Sequence, residues 1–216
     1  ALEFKPRERR ARYLAVDGGV YGGAISLLGC KNVYIEGIVI RDPDVWTLVP
    51  VGCRGVRAAN LKLIGLWRYN SDGIDIVNSR DVTIDGCFIR SFDDSICIKG
   101  RQAGEYWHGY PADTHPVRNV TVSNCVIWND WGTALKLDEL AAPEIAHVLF
   151  QDCDIIRTCS CAIRIGAVYG QPTIRDVRFE RIHVEIDDDL VWRLGFGVRD
   201  APFLPVARGP GEEGID

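Results

Sequence analysis

Three carboxylates stand out as groups able to do chemistry: Asp72 in Asn70-Ser71-Asp72-Gly73, and the adjacent pair Asp93-Asp94. They occupy two near-copies of one segment, Asn-Ser-Asp-Gly-Ile-Asp-Ile (70–76) and Ser-Phe-Asp-Asp-Ser-Ile-Cys-Ile (91–98). Aligning Ile74 and Ile76 with Ile96 and Ile98 gives Asp72 and Asp94 one repeat position, so stacked repeats would stack the carboxylates. Like charges gathered in a fold repel, a cost met mainly where the cluster moves protons or binds a cation. Three readings are open. As bend residues, aspartates cap turns through their own backbone hydrogen bonds, which accounts for one Asp per bend but not for a doubled pair. As oxygen ligands they would suit Ca²⁺ in a lyase, which also needs a cationic base such as Arg164 or Lys136. In glycosidic hydrolysis one carboxyl donates a proton to the leaving oxygen while another activates water, and crowding separates their pKa values for that purpose. An acid and base roughly 6.5–9.5 Å apart would then give inversion at the anomeric carbon.

The elements that must position these groups repeat along almost the whole chain. A motif approximating Asn/Asp-Val-x-Ile/Val, followed by a second apolar strand, places its Val at Val33, Val56, Val82, Val120, Val148 and Val177, at spacings of 23, 26, 38, 28 and 29 residues. Such a period, with short β-branched strands and Gly, Asn or Asp at the bends, marks a solenoid in which each coil buries its apolar face against its neighbours. Two-residue alternation in Ile74-Ile76, Ile96-Ile98, Leu135-Leu137 and Ile163-Ile165 argues for strands over helices. The expected fold is all-β, a single-stranded parallel β-helix over residues 1–200 with an irregular tail at 201–216, and with no Met in the chain the expectation is a piece of something longer.

The repeat also accounts for most of the eight cysteines. Five residues after each repeat Val come Ile38, Leu61, Cys87, Cys125, Cys153 and Ile182, while Cys30 and Cys53 share the position three residues before it. Cysteines in columns otherwise held by aliphatic residues read as small buried hydrophobes, ahead of disulfides or metal ligands. Cys159-Ser160-Cys161 fits no column. The oversized coil between Val82 and Val120 carries Tyr106, Trp107, His108, Tyr110 and His115, which reads equally as a substrate wall or as a loop packed on the solenoid. A net charge of −5 with scattered basic residues argues against nucleic acid or an anionic membrane as partner, and no apolar run approaches the ~18 residues of a membrane span.

At these residues the chain resembles glycoside hydrolase family 28, the polygalacturonase-type pectinases, whose motifs are Asn-Thr-Asp, Asp-Asp, Gly-His-Gly and Arg-Ile-Lys on a right-handed parallel β-helix of the pectin-lyase type. Asn70 and Asp72 match the first motif and Asp93-Asp94 the second. Val45-Trp46-Thr47-Leu48-Val49-Pro50-Val51-Gly52-Cys53 resembles the Trp-Thr-x-His-Pro-Val-x-Cys stretch that precedes the first motif in many members. The resemblance implies Asp93 as general acid and Asp72 and Asp94 as bases. Thr133 stands where the family has His; Arg164 fits the family's Arg, and Gly166 replaces its Lys. Lys136 shares the strand position of Arg164 one coil earlier and Lys99 ends the strand of the Asp93-Asp94 coil, so both are candidate substrate-gripping cations, and Trp131 reads equally as a sugar platform or a packed rim aromatic.

The resemblance implies no cofactor and no metal, a polysaccharide or oligosaccharide partner, a monomer, and a secreted or periplasmic setting. Pectin-type galacturonide is the first substrate to expect. The dextranase-type hydrolases of family 49, which also set three aspartates on neighbouring coils, make a neutral α-glucan the alternative. A non-catalytic β-helical carbohydrate-binding module is the rival of another class. His108, His115, His147 and His183 lack metal-ligand spacing, and Asp187-Asp188-Asp189 reads as a solvated turn.

Overall fold

The computed structural model describes residues 23–43, 45–66, 70–100, 115–137, 144–158, 161–166 and 173–186. In chain order its strands are β1 (Ile25–Leu28), β2 (Lys31–Glu36), β3 (Val39–Arg41), β4 (Leu48–Val51), β5 (Arg54–Ala59), β6 (Lys62–Leu66), β7 (Ile74–Val77), β8 (Arg80–Asp85), β9 (Phe88–Ser91), β10 (Ile96–Lys99), β11 (Val117–Ser123), β12 (Val126–Asn129), β13 (Thr133–Leu137), β14 (Glu144–Thr158), β15 (Cys161–Ile165) and β16 (Thr173–Ile186). Up to β14 every third strand pairs in parallel with its counterpart one coil on, and β14 and β16 each span two such positions. One sheet runs β1-β4-β7-β10-β13-β15, and the other carries the two remaining strand sets, joined through the long β14. This is the parallel β-helix expected from the repeat.

The repeat valines form one unbroken column in the register, Val33, Val56, Val82, Val120, Val148 and Val177. The residue before each Val holds a left-handed backbone: Asn32, Gly55, Asp81, Asn119, His147 and Asp176 have φ between 53° and 70°. A second left-handed position follows four residues after the Val, at Gly37, Asn60, Gly86, Asn124, Asp152 and Arg181. Asn, Asp and Gly recur there because they enter this region at least cost, and so they turn the chain from one sheet to the next. Where Arg181 takes the position, its guanidinium bonds both carboxylate oxygens of Asp152 (2.5 and 2.9 Å).

Inside the coils Ile74, Ile76, Ile96, Ile98, Leu135 and Leu137 are fully buried in one continuous core, each burial worth about 1.5–3 kcal/mol. The predicted cysteine columns lie here too: Cys53, Cys87, Cys125 and Cys153 are buried, and the cysteines among the described residues are free thiols. Alternation turns the intervening residues to the opposite face of the sheet, where Asp75, Cys97, Lys136 and Arg164 stand side by side in register. Among the described residues no helix is long and apolar enough to cross a membrane. The aromatic loop residues Tyr106, Trp107, His108 and Tyr110, the Asp187–Asp189 run, Cys159 and the 201–216 tail lie outside the described residues.

Candidate active site

Stacking brings the three aspartates together as the repeat predicts. The register pairs Ile74 with Ile96 and Ile96 with Leu135, so Asp72, Asp94 and Thr133 occupy one column, each two residues before its strand's first buried aliphatic. Backbone bonds lock the coils there: Gly73 N–H donates to the Asp94 carbonyl (2.8 Å) and Ser95 N–H to the Thr133 carbonyl (2.9 Å). One carboxylate oxygen from each of Asp72, Asp93 and Asp94 lies within 4.8 Å of the others. That is shorter than the 6.5–9.5 Å at which the sequence reading tied separation to inversion.

Two glycines make this approach feasible. A Cβ on Gly73 would come 2.3 Å from the Ser95 carbonyl oxygen, and one on Gly132 would come 2.6 Å from the Asp93 carbonyl carbon and 2.7 Å from Asp94 N. The Asp93-Asp94 turn is held from below by Asn129, fully buried, whose Nδ2 donates to the Asp93 carbonyl (2.7 Å) and to Ser95 Oγ (3.1 Å). Ser91 Oγ donates to the same Asp93 carbonyl (2.8 Å) and lies 2.7 Å from Ser95 Oγ.

The three carboxyls have different surroundings. Asp94 is buried and accepts on both oxygens, from Thr133 N–H (3.0 Å) and from Lys136 Nζ (2.8 Å), the arrangement of an ionised carboxylate. Asp93 is the most exposed of the three, and its Oδ1 accepts from Asp94 N–H (3.0 Å). Burial, and then the charge of Asp94, push its pKa up to about 7. Asp72 is 3% exposed, and its Oδ1 accepts no hydrogen bond among the described residues. Burial first, then Asp75 and Asp93, raise its pKa well above the usual carboxylate range, while Lys99 pulls it down.

Lys99 and Lys136, both expected as cations near substrate, are turned to the carboxyls instead. Lys99, 1% exposed, sits 2.7 Å from Asp75, 3.8 Å from Asp72 and 3.9 Å from the centroid of the Trp46 ring. Lys136 pairs with Cys97 on one side and Arg164 on the other, so its ammonium reaches Asp94 diagonally. Lys99 lies in register with Val77, one alternation further along. Arg164 is exposed, on the last strand of the column among the described residues. Thr133 contributes its backbone N–H. Trp131 stacks on Phe92 (centroids 5.3 Å, 17° between planes), half-buried at the rim. Asn70 is half-buried with φ 56°, the bend residue that sets Asp72 into its column.

Sequence reading missed Asp75, Trp46 and Asn129 as parts of the site. Asp75 had a usable signal, because a charged residue between two inward isoleucines must face the same side of the sheet as Lys136. Gly132 had none, since only the stacked coils show what its missing side chain makes room for.

The sequence profile of glycosyl hydrolases family 28 matches residues 21–189. Endopolygalacturonase B of Emericella nidulans is 26% identical over 143 residues, 55% of this chain and 39% of its own length. A probable polygalacturonase of Arabidopsis thaliana is 33% identical over 76 residues, 35% of this chain and 17% of its own. The crystal structure of a hyperthermoactive exopolygalacturonase from Thermotoga maritima superposes with a TM-score of 0.62 at 19% identity, covering 83% of this chain and 43% of that one. The family 28 exopolygalacturonase of Yersinia enterocolitica gives 0.53 at 16%, covering 74% and 34%. The chain therefore spans less than half the length of each of these relatives. The stacked Asp72 and Asp93-Asp94 motifs fall inside a family match that takes in well over half of the residues, and the chain belongs to glycosyl hydrolases family 28.

Proposed function

We propose that the protein hydrolyses α-glycosidic bonds of a pectin-type galacturonide by a single displacement, with Asp93 as general acid and Asp72 and Asp94 activating water. The observation that carries this reading is the division between touching neighbours: Asp94 is bonded as a carboxylate by Lys136 and Thr133, while Asp93 is held protonated toward pH 7 and is the carboxyl most open to solvent. A proton donor must reach the leaving oxygen, and a base must be ionised to draw a proton from water. Stacking also suits Asp72 and Asp94 to one shared water. A water at hydrogen-bond distance from two acceptors, about 2.6–3.2 Å from each, fits between oxygens within 4.8 Å of one another. Direct attack by that water inverts the anomeric carbon, so inversion here rests on the shared water and not on a long acid–base gap.

The choice of sugar follows from two supports. The relatives are named as polygalacturonases, and the face that presents the carboxyls also carries Lys136 and, exposed at its edge, Arg164, a suitable partner for a uronate carboxylate. Both endo- and exo-acting relatives occur, so product length decides the mode. Action on such a polymer accords with a secreted or periplasmic monomer. Asp93→Asn tests the roles: turnover on polygalacturonate should fall at least about 10²–10⁴-fold while oligosaccharide binding and the unfolding midpoint hold. Turnover near the parent level would overturn the assignment. Proton NMR of the first product should show the β anomer, and α would overturn the single displacement.

A further inference from the structure

Lys99 is the largest side chain wholly enclosed in the described core, an ammonium 1% exposed. Burying a cation so completely is costly unless it is paired, and a fold keeps such a group where its charge serves a neighbour. Its contacts show which neighbour. From the end of β10 it reaches across to β7, with Asp75 Oδ1 at 2.7 Å and Asp72 Oδ2 at 3.8 Å, under the face of Trp46 at 3.9 Å. We propose that Lys99 is a positioning residue whose enclosed ammonium, anchored on Asp75, favours the anionic, water-activating form of Asp72 against the burial and the acids that oppose it. The inference rests on the hydrolase reading of the same site.

The charges around Asp72 explain why such a device is needed. Its own strand contributes Asp75, the turn before β10 contributes Asp93 and Asp94, β10 contributes Lys99, and β13 contributes Lys136, which is bonded to Asp94. From the segment leading into β4, among the described residues, Thr47 Oγ1 donates to the Asp72 carbonyl (2.8 Å) and Trp46 covers Lys99. Three carboxyls thus crowd a fourth, and of the two ammoniums only Lys99 lies against Asp72. Burial and the surrounding acids favour the protonated form, which cannot take a proton from water; Lys99 opposes them. Trp46 matters as well, because a ring face accepts a cation without supplying a competing anion.

The test compares Lys99→Met and Asp75→Asn with the parent. The ¹³C carboxyl signal of Asp72, identified by its loss in Asp72→Asn, is followed against pH, alongside the pH profile of kcat/KM on polygalacturonate. An opposite charge at this range lowers an Asp pKa by about 1–3 units. Lys99→Met should therefore move the Asp72 titration, and the acid limb of the profile, up by at least about one pH unit. Asp75→Asn removes a repelling acid and should move both down. The opposed signs separate a charge role from simple loss of packing, which would lower activity at every pH without moving either limb. An Asp72 titration unchanged in both variants would overturn the proposal. Should Lys99→Met fail to fold, Lys99→Gln decides in its place: an upward shift of the Asp72 titration supports the device, and none overturns it. A parent protein silent on galacturonides would refute the hydrolase reading, while the carboxyl titration would still judge Lys99.

Discussion

Replacing Gly132 with alanine puts one methyl group against the backbone that holds the acid. The added Cβ would sit 2.6 Å from the Asp93 carbonyl carbon, 2.7 Å from Asp94 N and 2.9 Å from Asp93 Cα. Carbon–carbon contacts are comfortable at about 3.5–4.0 Å, so the two coils must part by roughly 0.9 Å at this point. All three contacts are main chain, so rotamer changes do not relieve them. The Asp93-Asp94 turn is in turn tied to Asn129, Ser91 and Ser95, so the displacement goes into the carboxyls. A misplacement of about 1 Å costs on the order of 10²-fold in rate, and overpacking costs about 1–3 kcal/mol in stability. Steady-state kinetics on polygalacturonate should show kcat down about a hundredfold, while urea unfolding still gives one cooperative transition at a lower midpoint. A Gly132→Ala enzyme with parental kcat would refute the claim that close coil approach at Gly132 sets the acid.

Three further outcomes follow from the same contacts. Asn129→Ala removes the buried amide that donates to the Asp93 carbonyl and should destabilise by about 1–3 kcal/mol in urea titration, with kcat reduced; an unchanged midpoint would contradict its bracing role. Ile98→Ala opens a cavity among fully buried aliphatics and should cost about 2–5 kcal/mol while KM stays near the parent value. Asp93 keeps its proton in the folded state up to about 7, by burial first and Asp94 second, whereas the unfolded chain loses it near pH 4. The folded state therefore binds more protons between those values, so this group's contribution to stability falls as pH rises from about 4 to 7. Urea midpoints across that range should fall less steeply in Asp93→Asn, and parallel slopes would rule the effect out.

The coil was legible because its determinants are local and periodic. A left-handed residue before each repeat Val and another four residues after it, Asn, Asp or Gly except at His147 and Arg181, set the bends, and two-residue alternation sets which side chains go in. Aligning Ile74 with Ile96 was enough to stack Asp72 on Asp94. What sequence could not supply was the direction in which long side chains reach. Lys136 and Lys99 read as cations facing substrate, but the site already holds buried carboxyls that need counter-charges, and both ammoniums turn to Asp94, Asp75 and Asp72. Trp131, which read equally as a sugar platform or a packed rim aromatic, stacks on Phe92 one coil earlier. Close contacts between coils, such as those at Gly73 and Gly132, depend on register across dozens of residues and leave no local trace.

The most direct test of the account is the release of reducing ends from polygalacturonate with a chelator present, read alongside ultraviolet absorbance of the products. The account predicts chelator-insensitive release that Asp93→Asn removes and no unsaturated, ultraviolet-absorbing ends. Chelator-sensitive release with such ends would mean a metal-dependent lyase, and the absence of product from every uronide and neutral α-glucan would contradict hydrolysis by these three carboxyls.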